Sequence, residues 1–593
     1  MSDKVAELKS VFPDDETGQW VANLWDTYNK QRSPVMSRWL ELDNYLFATD
    51  TSTTSNSTLP WKNSTTLPKL TQIRDNLHSN YISALFPNDK WLTWKGYTKK
   101  DSSRKKAKII TAYMENKTRE SKYRQEISKL VYDYISRGNA FVTCSFEKRY
   151  NTSKTGEKVP GFIGPRGHRI AAEDIVFNPL ANSFDDTWKI IRTVKTLGEL
   201  QKLSETEPGY AFWGDVVKKR VEQHRKIFGN YGVDDFNKAE RMSIDGFGNL
   251  YEYYMSDSVE ILEFYGDYFD INTGTLQTDR MITVVDRCYK VRNEPIDTLS
   301  GRAPIRHVGW RLRPDNLWAM GPLENLVGMQ YRIDHLENLK ADAMDLTVHP
   351  PLVIIGEVEE FIWGPGVEIH LDEGGSITEL TKSMNAIITA TNQISELEDK
   401  MELYAGAPRE AMGVRTPGEK TATEVNGLFT AAARIFQEKT TNFEINLMEP
   451  NLNDQLEISV RNFDGSDVIR TMDNSLGVTE FATITVEDIT ASGVLRPVGA
   501  RHFGQTAQEV QNLLGIANSP LWELVRPHTS GIAMTQFIDD VTNLAGYSIF
   551  RSNVAVEEAK ETQALMNQGG EDLMTEASMP APTNAVPSEG IPA

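Results

Sequence analysis

The chain has 593 residues, more than one hydrophobic core usually organises, so its length predicts two to four structural regions and excludes a small stapled module. Hydrophobic residues make up 39% of the sequence and charged residues 25%, and no window has the apolar run that a membrane span requires. The formal net charge of -20 excludes a general attraction to phosphate groups, so any contact with nucleic acid has to be local or weak.

Helices are predicted in the N-terminal region, whose first residues lack the apolar segment of a secretion signal. Apolar residues at helical spacing predict two helices between residues 19 and 48, broken near Pro34, and another at 70–85. The stretch 51–58 is almost purely Ser, Thr and Asn, which predicts an exposed loop. We interpret the basic run 99–108 as the solvated start of a helix rather than as a phosphate site.

Strand-forming residues dominate the middle of the chain. β-Branched and aromatic residues are enriched at 140–150, 169–177 and 251–291, and Asp270–Gly274 predicts a hairpin turn within the last run. Residues 204–249 are rich in charge and glycine, and we assign them only as short helices and loops. The sequence therefore predicts an α+β, mainly helical protein.

A long helix, a β-rich insert and a second long helix come next. Gly321-Pro322 predicts the start of a helix of roughly 39 Å that runs to Thr347. Pro350-Pro351 ends this helix, and the apolar residues 352–355 predict a short strand at the start of the insert. The second helix is predicted at 383–404.

Further helices are predicted towards the C-terminus. A third helix is expected at 421–448, because a capping-box pattern opens it and Pro450 stops it. Several shorter helices follow from residue 502. Beyond Ser578 the composition of Pro, Ala, Ser and Gly predicts a disordered tail.

The chemistry of an enzyme has no candidate residues in this sequence. Gly413–Thr421 nearly spells a phosphate-binding P-loop, but Glu419 moves the lysine out of register and places a carboxylate where anions bind. The nine histidines form no zinc-binding pair, and no nucleophile elbow is present. Cys144 and Cys288 are too few for a disulfide framework, and we interpret both as small buried residues. We expect no enzymatic activity, no cofactor and no metal.

Both long helices carry acids on one side. In the first helix an apolar seam recurs every three or four residues at Leu326, Met329, Ile333, Leu336, Leu339 and Ala343. At about 100° per residue, a separate acidic stripe is predicted at Asp334, Glu337, Asp342 and Asp345. A shorter stripe on the second helix consists of Glu396, Asp399 and Glu402. For an isolated helix such a stripe is most simply a solvated face.

Several segments resemble the portal, or head-to-tail connector, family of tailed double-stranded DNA bacteriophages of the short-tailed kind. The similarity spans residues 251–544, and the order of its elements is more specific than any one motif. The segments that carry it are Gly321–Leu326 (GPLENL), His349–Pro351 (HPP), Ala407–Gly413 (APREAMG), Gly418–Val425 (GEKTATEV) and Ser492–Arg501 (SGVLRPVGAR).

The resemblance implies a division of the chain by position. It implies a wing region at 1–320, a stem helix at 321–347, a clip at 348–381, a second stem helix at 382–404, a tunnel loop at 405–420, a wing helix and strands at 421–500, a crown at 501–577 and a disordered tail at 578–593. The acidic stripes would then line a DNA channel, and Trp363 and Ile369 of the clip would contact partners. Arg409, Arg415 and Lys420 of the tunnel loop would touch DNA, or else pair with neighbouring glutamates.

The implied protein is a ring at one capsid vertex of the virion, assembled in the host cytoplasm without a membrane. About twelve helices packed at ~9 to 10 Å leave an opening of roughly 26 Å, which admits a DNA duplex, and acidic walls would repel its phosphates. The implied partners are further copies of the chain, the terminase large subunit, capsid and scaffold proteins, tail adaptor proteins and the passing DNA. The alternatives are another virion ring component, such as a tail adaptor, and a nucleic-acid-processing enzyme that uses the near P-loop.

Overall fold

The computed structural model describes residues 15–59, 62–87, 91–98, 104–152, 158–206, 208–229, 257–270, 273–296, 298, 301–348, 350–356, 374–379, 384–405, 435–463, 465–472 and 479–497. Its contacts divide the chain into two compact units, residues 1–469 with 483–501, and residues 470–482 with 502–593. The sites discussed below all lie in the first unit. The fold mixes helices and strands, which confirms the predicted coarse class.

Eleven helices are labelled here in chain order. They are α1 (Glu16–Gln31), α2 (Ser33–Leu46), α3 (Lys69–Leu85), α4 (Arg104–Glu120), α5 (Tyr123–Ser136), α6 (Leu197–Thr206), α7 (Phe212–Gly229), α8 (Val327–Val348), α9 (Met384–Ala405), α10 (435–443) and α11 (Glu449–Asn462). A further single turn covers Val486–Ile489.

The strands are labelled in the same way. They are β1 (Leu92–Gly96), β2 (Asn139–Thr152), β3 (Lys158–Ile170), β4 (Ile175–Phe177), β5 (Lys189–Thr196), β6 (Ser258–Asp270), β7 (Thr275–Val285), β8 (Tyr289–Pro295), β9 (Ile305–Gly309), β10 (Arg311–Arg313), β11 (Asn316–Met320), β12 (Leu352–Ile355), β13 (Ser376–Glu379), β14 (Ser466–Met472), β15 (Thr479–Thr485) and β16 (Gly493–Pro497).

A five-stranded antiparallel sheet, in the order β4-β5-β6-β7-β8, forms the largest layer. Successive residues of β6 point to opposite faces of the sheet, and helices cover both faces. Leu262 packs with Trp25 of α1, whereas Ile261 packs with Trp213 of α7. The predicted turn between β6 and β7 is confirmed, because Gly274 donates its backbone N–H to the carbonyl of Asp270 and adopts a φ of 66°.

A three-stranded sheet, in the order β3-β2-β9, joins helices α5 and α11 to this layer. Arg169 of β3 forms an ion pair with Asp133 of α5 at 2.5 Å. Arg306 of β9 donates two hydrogen bonds of 2.8 Å to the carboxylate of Asp454 on α11. These bidentate pairs fix the helices against the sheet.

The predicted break at Pro34 is confirmed, but the predictions for residues 51–58 and for Pro450 need correction. Thr51–Thr53 and Ser55–Thr58 form two 3-10 turns, and although the other five residues of 51–58 are exposed as predicted, Thr51, Thr54 and Asn56 are buried. Their polar groups are bonded: the Thr54 hydroxyl donates to Thr51 O, and Asn56 Nδ2 donates to Tyr331 O. Polar residues can be buried when such partners exist.

Pro450 does not stop the third helix. Residues Glu444–Met448 form a π-helical turn, and α11 begins at Glu449 with Pro450 in its first turn. A proline is tolerated in the first turn of a helix because its missing N–H has no intrahelical partner there. The start of the first long helix also differs, since Glu324–Leu326 is a 3-10 turn that precedes α8.

Both cysteines are free thiols; Cys144 is buried as expected, and Cys288 is only half-buried. The predicted C-terminal helices, the crown and the disordered tail lie outside the described residues, as do residues 421–434 of the third helix.

Candidate functional site: a helix hairpin clasped by an N-terminal segment

The two long helices and the β-rich insert form one hairpin. Helix α8 leads into β12, β13 leads into α9, and the two strands pair antiparallel from Leu352↔Glu379 to Ile355↔Ser376. Each helix has 22 residues and is therefore about 33 Å long. The predicted order of helix, β insert and helix is confirmed. We call α8, β12, β13 and α9 the stem hairpin.

The half of the stem hairpin near its strands is exposed. Residues 339–348 of α8 and 385–393 of α9 include no buried residue, and all of β12 is exposed or half-buried. Several of these side chains are nevertheless large and apolar. They are Leu339, Met344, Val348, Val353, Ile354, Ile355 and Ile388. We call this half, with these residues, the distal half.

The other half of α8 buries a row of polar side chains at intervals of four residues. Gln330, Asp334 and Asn338 are at most 1% exposed, and Asp342 continues the row one turn further. Residues four apart lie on one face of a helix, so these four side chains form a single column. We call them the polar ladder.

The polar ladder binds the backbone of an N-terminal segment, residues 62–70, which we call the clasp; its last two residues are the first two of α3. Thr65 N donates to Asn338 Oδ1 and Asn338 Nδ2 donates to Thr65 O, each at 2.8 Å. Leu67 N donates to Asp334 Oδ1 at 3.0 Å. Every second residue of the clasp therefore meets every fourth residue of the helix.

The two ends of the clasp are held in the same way. Asn63 N donates to Asp342 Oδ1 at 3.1 Å, and Leu70 N donates to Gln330 Oε1 at 3.2 Å. The second contact completes the first turn of α3, because its N-cap residue, Pro68, offers no side-chain cap. A helix start leaves backbone N–H groups without partners, so Gln330 caps α3 from outside.

An ion pair fastens the clasp to the second stem helix. Lys69 Nζ lies 2.5 Å from Glu402 Oε1, and the two side chains are only 7% and 5% exposed. The ammonium also donates to Gln72 Oε1 at 3.1 Å. The additional hydrogen bond matters because a buried ion pair has to replace the water that both charges lose.

These contacts correct the predicted acidic lining. Asp334 is fully buried beneath the clasp and Glu402 is buried against Lys69, so the prediction that these two acids face a channel is wrong. The physical reason is that an extended backbone needs acceptors for its N–H groups, and the acids of α8 supply them. Asp342 serves the same purpose, since both of its oxygens accept backbone N–H groups from Lys62 and Asn63.

The remaining acids are at least partly accessible. Glu337 pairs with Lys340 at 2.5 Å, and Glu396 pairs with Lys400 at 2.6 Å. Asp345 accepts from Asn63 Nδ2 at 3.0 Å, and both it and Asp399 are exposed.

Burial raises the pKa of the Asp334 carboxyl to about 6, although hydrogen bonds from Leu67, Thr66 and Gln330 favour its ionised form. Because the pKa in the folded state lies above 3.8, this group favours folding most at low pH and loses that contribution as the pH rises through about 6. The charge of Asp334 is thus held in the clasp at an energetic cost.

Five predicted site residues lie outside the described residues. They are Trp363 and Ile369 of the clip, and Arg409, Arg415 and Lys420 of the tunnel loop.

Sequence reasoning missed the amides of the polar ladder and the basic partner in the clasp. Gln330 and Asn338 alternate with Asp334 and Asp342 at intervals of four, and this pattern is visible in the sequence. A search for charge alone passes over it. Lys69 carried no signal, because nothing in the local sequence places it beside Glu402.

One polar cluster superficially suggests a catalytic triad, on strands β2 and β3. Ser145 Oγ lies 2.9 Å from His168 Nε2, and Glu147 Oε1 lies 3.0 Å from that same nitrogen. A catalytic relay needs the hydroxyl and the carboxylate on different ring nitrogens. The cluster therefore cannot work as a nucleophile, base and orienting acid.

The residues that the structure describes contain neither a metal-binding cluster nor a membrane-spanning helix. Within those ranges, no group of three or more His, Cys, Asp or Glu side chains could hold a metal ion, and no helix has the length and apolar character to cross a membrane. No protein-family model matches the chain, and comparison with curated proteins gives no significant match.

Proposed function

We propose that the chain is a portal-type subunit, which assembles into a ring around a channel for double-stranded DNA at one vertex of a phage capsid. The role is structural and non-enzymatic. The ring is proposed to dock a terminase motor during packaging and tail adaptor proteins afterwards, and to contact capsid and scaffold proteins.

The observation that carries the proposal is the exposed apolar surface of the distal half. Its side chains occupy both helices and β12, for instance Met344, Ile355 and Ile388, which are 50%, 61% and 54% exposed. Large apolar side chains that stay exposed together in one part of a molecule mark a candidate protein interface. A heterologous interface that repeats by rotation closes into a ring. The order of helix, β hairpin and helix adds support, because the same order underlies the resemblance to portal proteins.

The acidic surface that could face DNA is smaller than the sequence predicts. Of the seven acids, Asp334 and Glu402 are buried, and the half-buried Asp342 is bonded to the backbone of the clasp. The other four are at least partly accessible, but Glu337 and Glu396 are partly neutralised by neighbouring lysines. The net charge of -20 still favours weak binding of duplex DNA at physiological salt. Weak binding suits a channel through which DNA moves.

The decisive experiment is light scattering on the purified full-length chain, followed by negative-stain imaging. The proposal expects a particle of about twelve times 66.9 kDa with an axial opening. A monomer or dimer at micromolar concentration contradicts it. Sustained ATP turnover that disappears in Lys420→Ala would instead favour the enzyme alternative.

A tail adaptor would also give a ring, so a second measurement is needed. A portal-type ring has to be present when DNA enters the capsid, whereas an adaptor joins afterwards. Heads assembled without this chain should therefore contain no packaged DNA. Filled heads that only lack tails favour the adaptor.

A further inference from the structure

Two β hairpins of the chain each expose large apolar side chains. The hairpin of β10 and β11 exposes Leu312, whose side chain is 54% exposed. The hairpin of β6 and β7 exposes Phe269 and Leu276, which are 54% and 58% exposed. Both hairpins belong to the first compact unit. Large apolar side chains that remain exposed in the folded chain mark candidate contacts with another molecule.

The β10–β11 hairpin is basic around its apolar residue. Arg311 and Arg313 flank Leu312, and both arginines are exposed. Neither arginine forms an ion pair with a residue that the structure describes. The Arg311 guanidinium lies over the ring of Trp310, 5.2 Å from the ring centroid. A guanidinium stacked in this way is held in place, and the N–H groups at its edge stay available for a carboxylate.

The β6–β7 hairpin is acidic around its apolar residues. Phe269 and Leu276 lie directly opposite each other on the two strands, so their side chains share one face of the hairpin. Asp267 and Asp279 follow on the same two strands, where Asp267 Oδ1 accepts the backbone N–H of Asp279 at 2.8 Å. Both acids are exposed, and within the described ranges neither forms an ion pair. An apolar pair therefore lies beside two negative charges that lack a counter-charge there.

The two hairpins complement each other in charge and in apolar character. Their exposed fractions show that they do not cover each other within one chain. A head-to-tail contact between copies joins two different surfaces of the same chain, so it requires a complementary pair of this kind. A contact between two equal surfaces is disfavoured here, because the arginines of one β10–β11 hairpin would repel those of a second one. The occupant that fits each hairpin is therefore the other hairpin of a second copy.

We propose that the β10–β11 hairpin of one copy docks on the β6–β7 hairpin of the next copy. Leu312 packs against Phe269 and Leu276, and the two arginines face the carboxylates of Asp267 and Asp279. The contact rests on the proposed ring and gives it a second pair of surfaces besides the distal half. Because two hairpins form only a small interface, their opposite charges fix the direction and register of neighbouring copies, whereas larger surfaces supply the affinity.

Disulfide formation between two variants of the full chain tests the contact. In a background with Cys144→Ala and Cys288→Ala, one variant carries Leu312→Cys and the other carries Leu276→Cys, and the two are co-expressed. Mild oxidation should link residue 312 of one copy to residue 276 of another, as peptide mass spectrometry shows. Neither variant alone should form a link, because the contact brings unlike positions together. In the control, Leu180→Cys at another exposed leucine replaces Leu312→Cys and should stay reduced.

A second comparison tests the contribution of charge. Arg311→Gln with Arg313→Gln removes the basic groups and should lower the yield of the linked pair several-fold at low salt. Raising the salt concentration should lower the parent yield towards the same value, because ions screen exposed charge pairs. The matched control is Arg119→Gln with Arg124→Gln, which removes two other exposed arginines and should leave the yield unchanged.

Three results overturn this contact and leave the ring standing. The first is a ring, seen by light scattering and imaging, in which residues 312 and 276 stay reduced. The second is a control with Leu180→Cys that forms the link as readily. The third is a yield that the two pairs of arginine substitutions change equally. Monomers without a link contradict both proposals, whereas linked copies in open filaments keep the contact and contradict only the ring.

Discussion

At the scale of single residues, the structure turns an apparent electrostatic feature into a hydrogen-bonding one. Asp334 and Asp342 look like part of a charged surface, yet they act as acceptors for a neighbouring backbone, together with Gln330 and Asn338. The amides supply both a donor and an acceptor, which the carboxylates cannot. Asn338 is thus the only member of the ladder that satisfies both backbone groups of one clasp residue.

Asn338→Leu should destabilise the fold. The substitution removes both hydrogen bonds to the backbone of Thr65, and each such bond contributes about 0.5–1.5 kcal/mol. Urea unfolding followed by circular dichroism measures the loss. The matched control is Asn392→Leu on the exposed part of α9, which should change the free energy of unfolding by less than about 0.5 kcal/mol. Equal effects at both positions would mean that the clasp contributes no stability.

A second residue gives a prediction for pH. Desolvation lowers the pKa of His307 well below 6.5, and the ring stacks on Phe141 with its Nε2 3.1 Å from Asn139 Oδ1. The unfolded chain takes up this proton below pH 6.5 and the folded chain does not, so the parent loses stability as the pH falls. Relative to His307→Gln, the loss should approach about 1.4 kcal/mol per pH unit. Other titrating groups are common to both proteins and cancel. A difference that is constant between pH 7 and pH 5 contradicts the prediction.

At the scale of elements, the sequence predicts what local patterns determine. The helix pair around Pro34, the hairpin turn at Gly274 and the order of the stem hairpin follow from apolar periodicity and from turn residues, and the structure confirms them. The two 3-10 turns at 51–58 do not follow, because their burial depends on partners such as Tyr331, which is distant in sequence. The continuation past Pro450 depends on a π-helical turn that no local pattern signals.

The candidate site, too, could be predicted only in part from the sequence. The sequence predicts that α8 has two faces, an apolar one and a polar one, and the structure confirms two faces: Ile333 is buried beside a column of polar residues. What covers the polar face could not be predicted, because the clasp precedes α8 by more than 250 residues. From the sequence alone, the simpler expectation is that solvent covers the polar face of α8. Contacts of such separation depend on the whole fold.

The ion pair between α3 and α9 gives a prediction at this scale. Lys69→Met removes the ion pair that Lys69 forms with the buried Glu402 carboxylate, and breaking a buried pair from one side costs about 3–5 kcal/mol. Adding Glu402→Leu should recover most of that loss. The pair of Lys400 with Glu396 is exposed, so Lys400→Met should leave the unfolding transition unchanged. A double variant as unstable as Lys69→Met alone would show that the ion pair is not the cause.

At the scale of the whole molecule, the two halves of the stem hairpin differ in what covers their side chains. The half opposite the distal half is covered by the chain's own clasp, through buried polar contacts. The distal half leaves apolar side chains exposed, which a folded chain tolerates best when another subunit covers them. A subunit built this way is stable alone at one end of its hairpin and incomplete at the other. The proposed ring would cover this incomplete end.

The last prediction tests this division. Met344→Asp with Ile355→Asp places two charges on the distal half, and burying an unpaired charge in an interface is costly, so the variant should remain folded but shift from a large ring to small species. Because both side chains are exposed in the single chain, the unfolding transition should change little. The matched control is Leu180→Asp, at a residue that is 75% exposed and distant from the stem hairpin in sequence. It should assemble like the parent. Light scattering measures size, and circular dichroism verifies the fold. If the double variant forms rings as readily as Leu180→Asp, the distal half is not the interface between subunits.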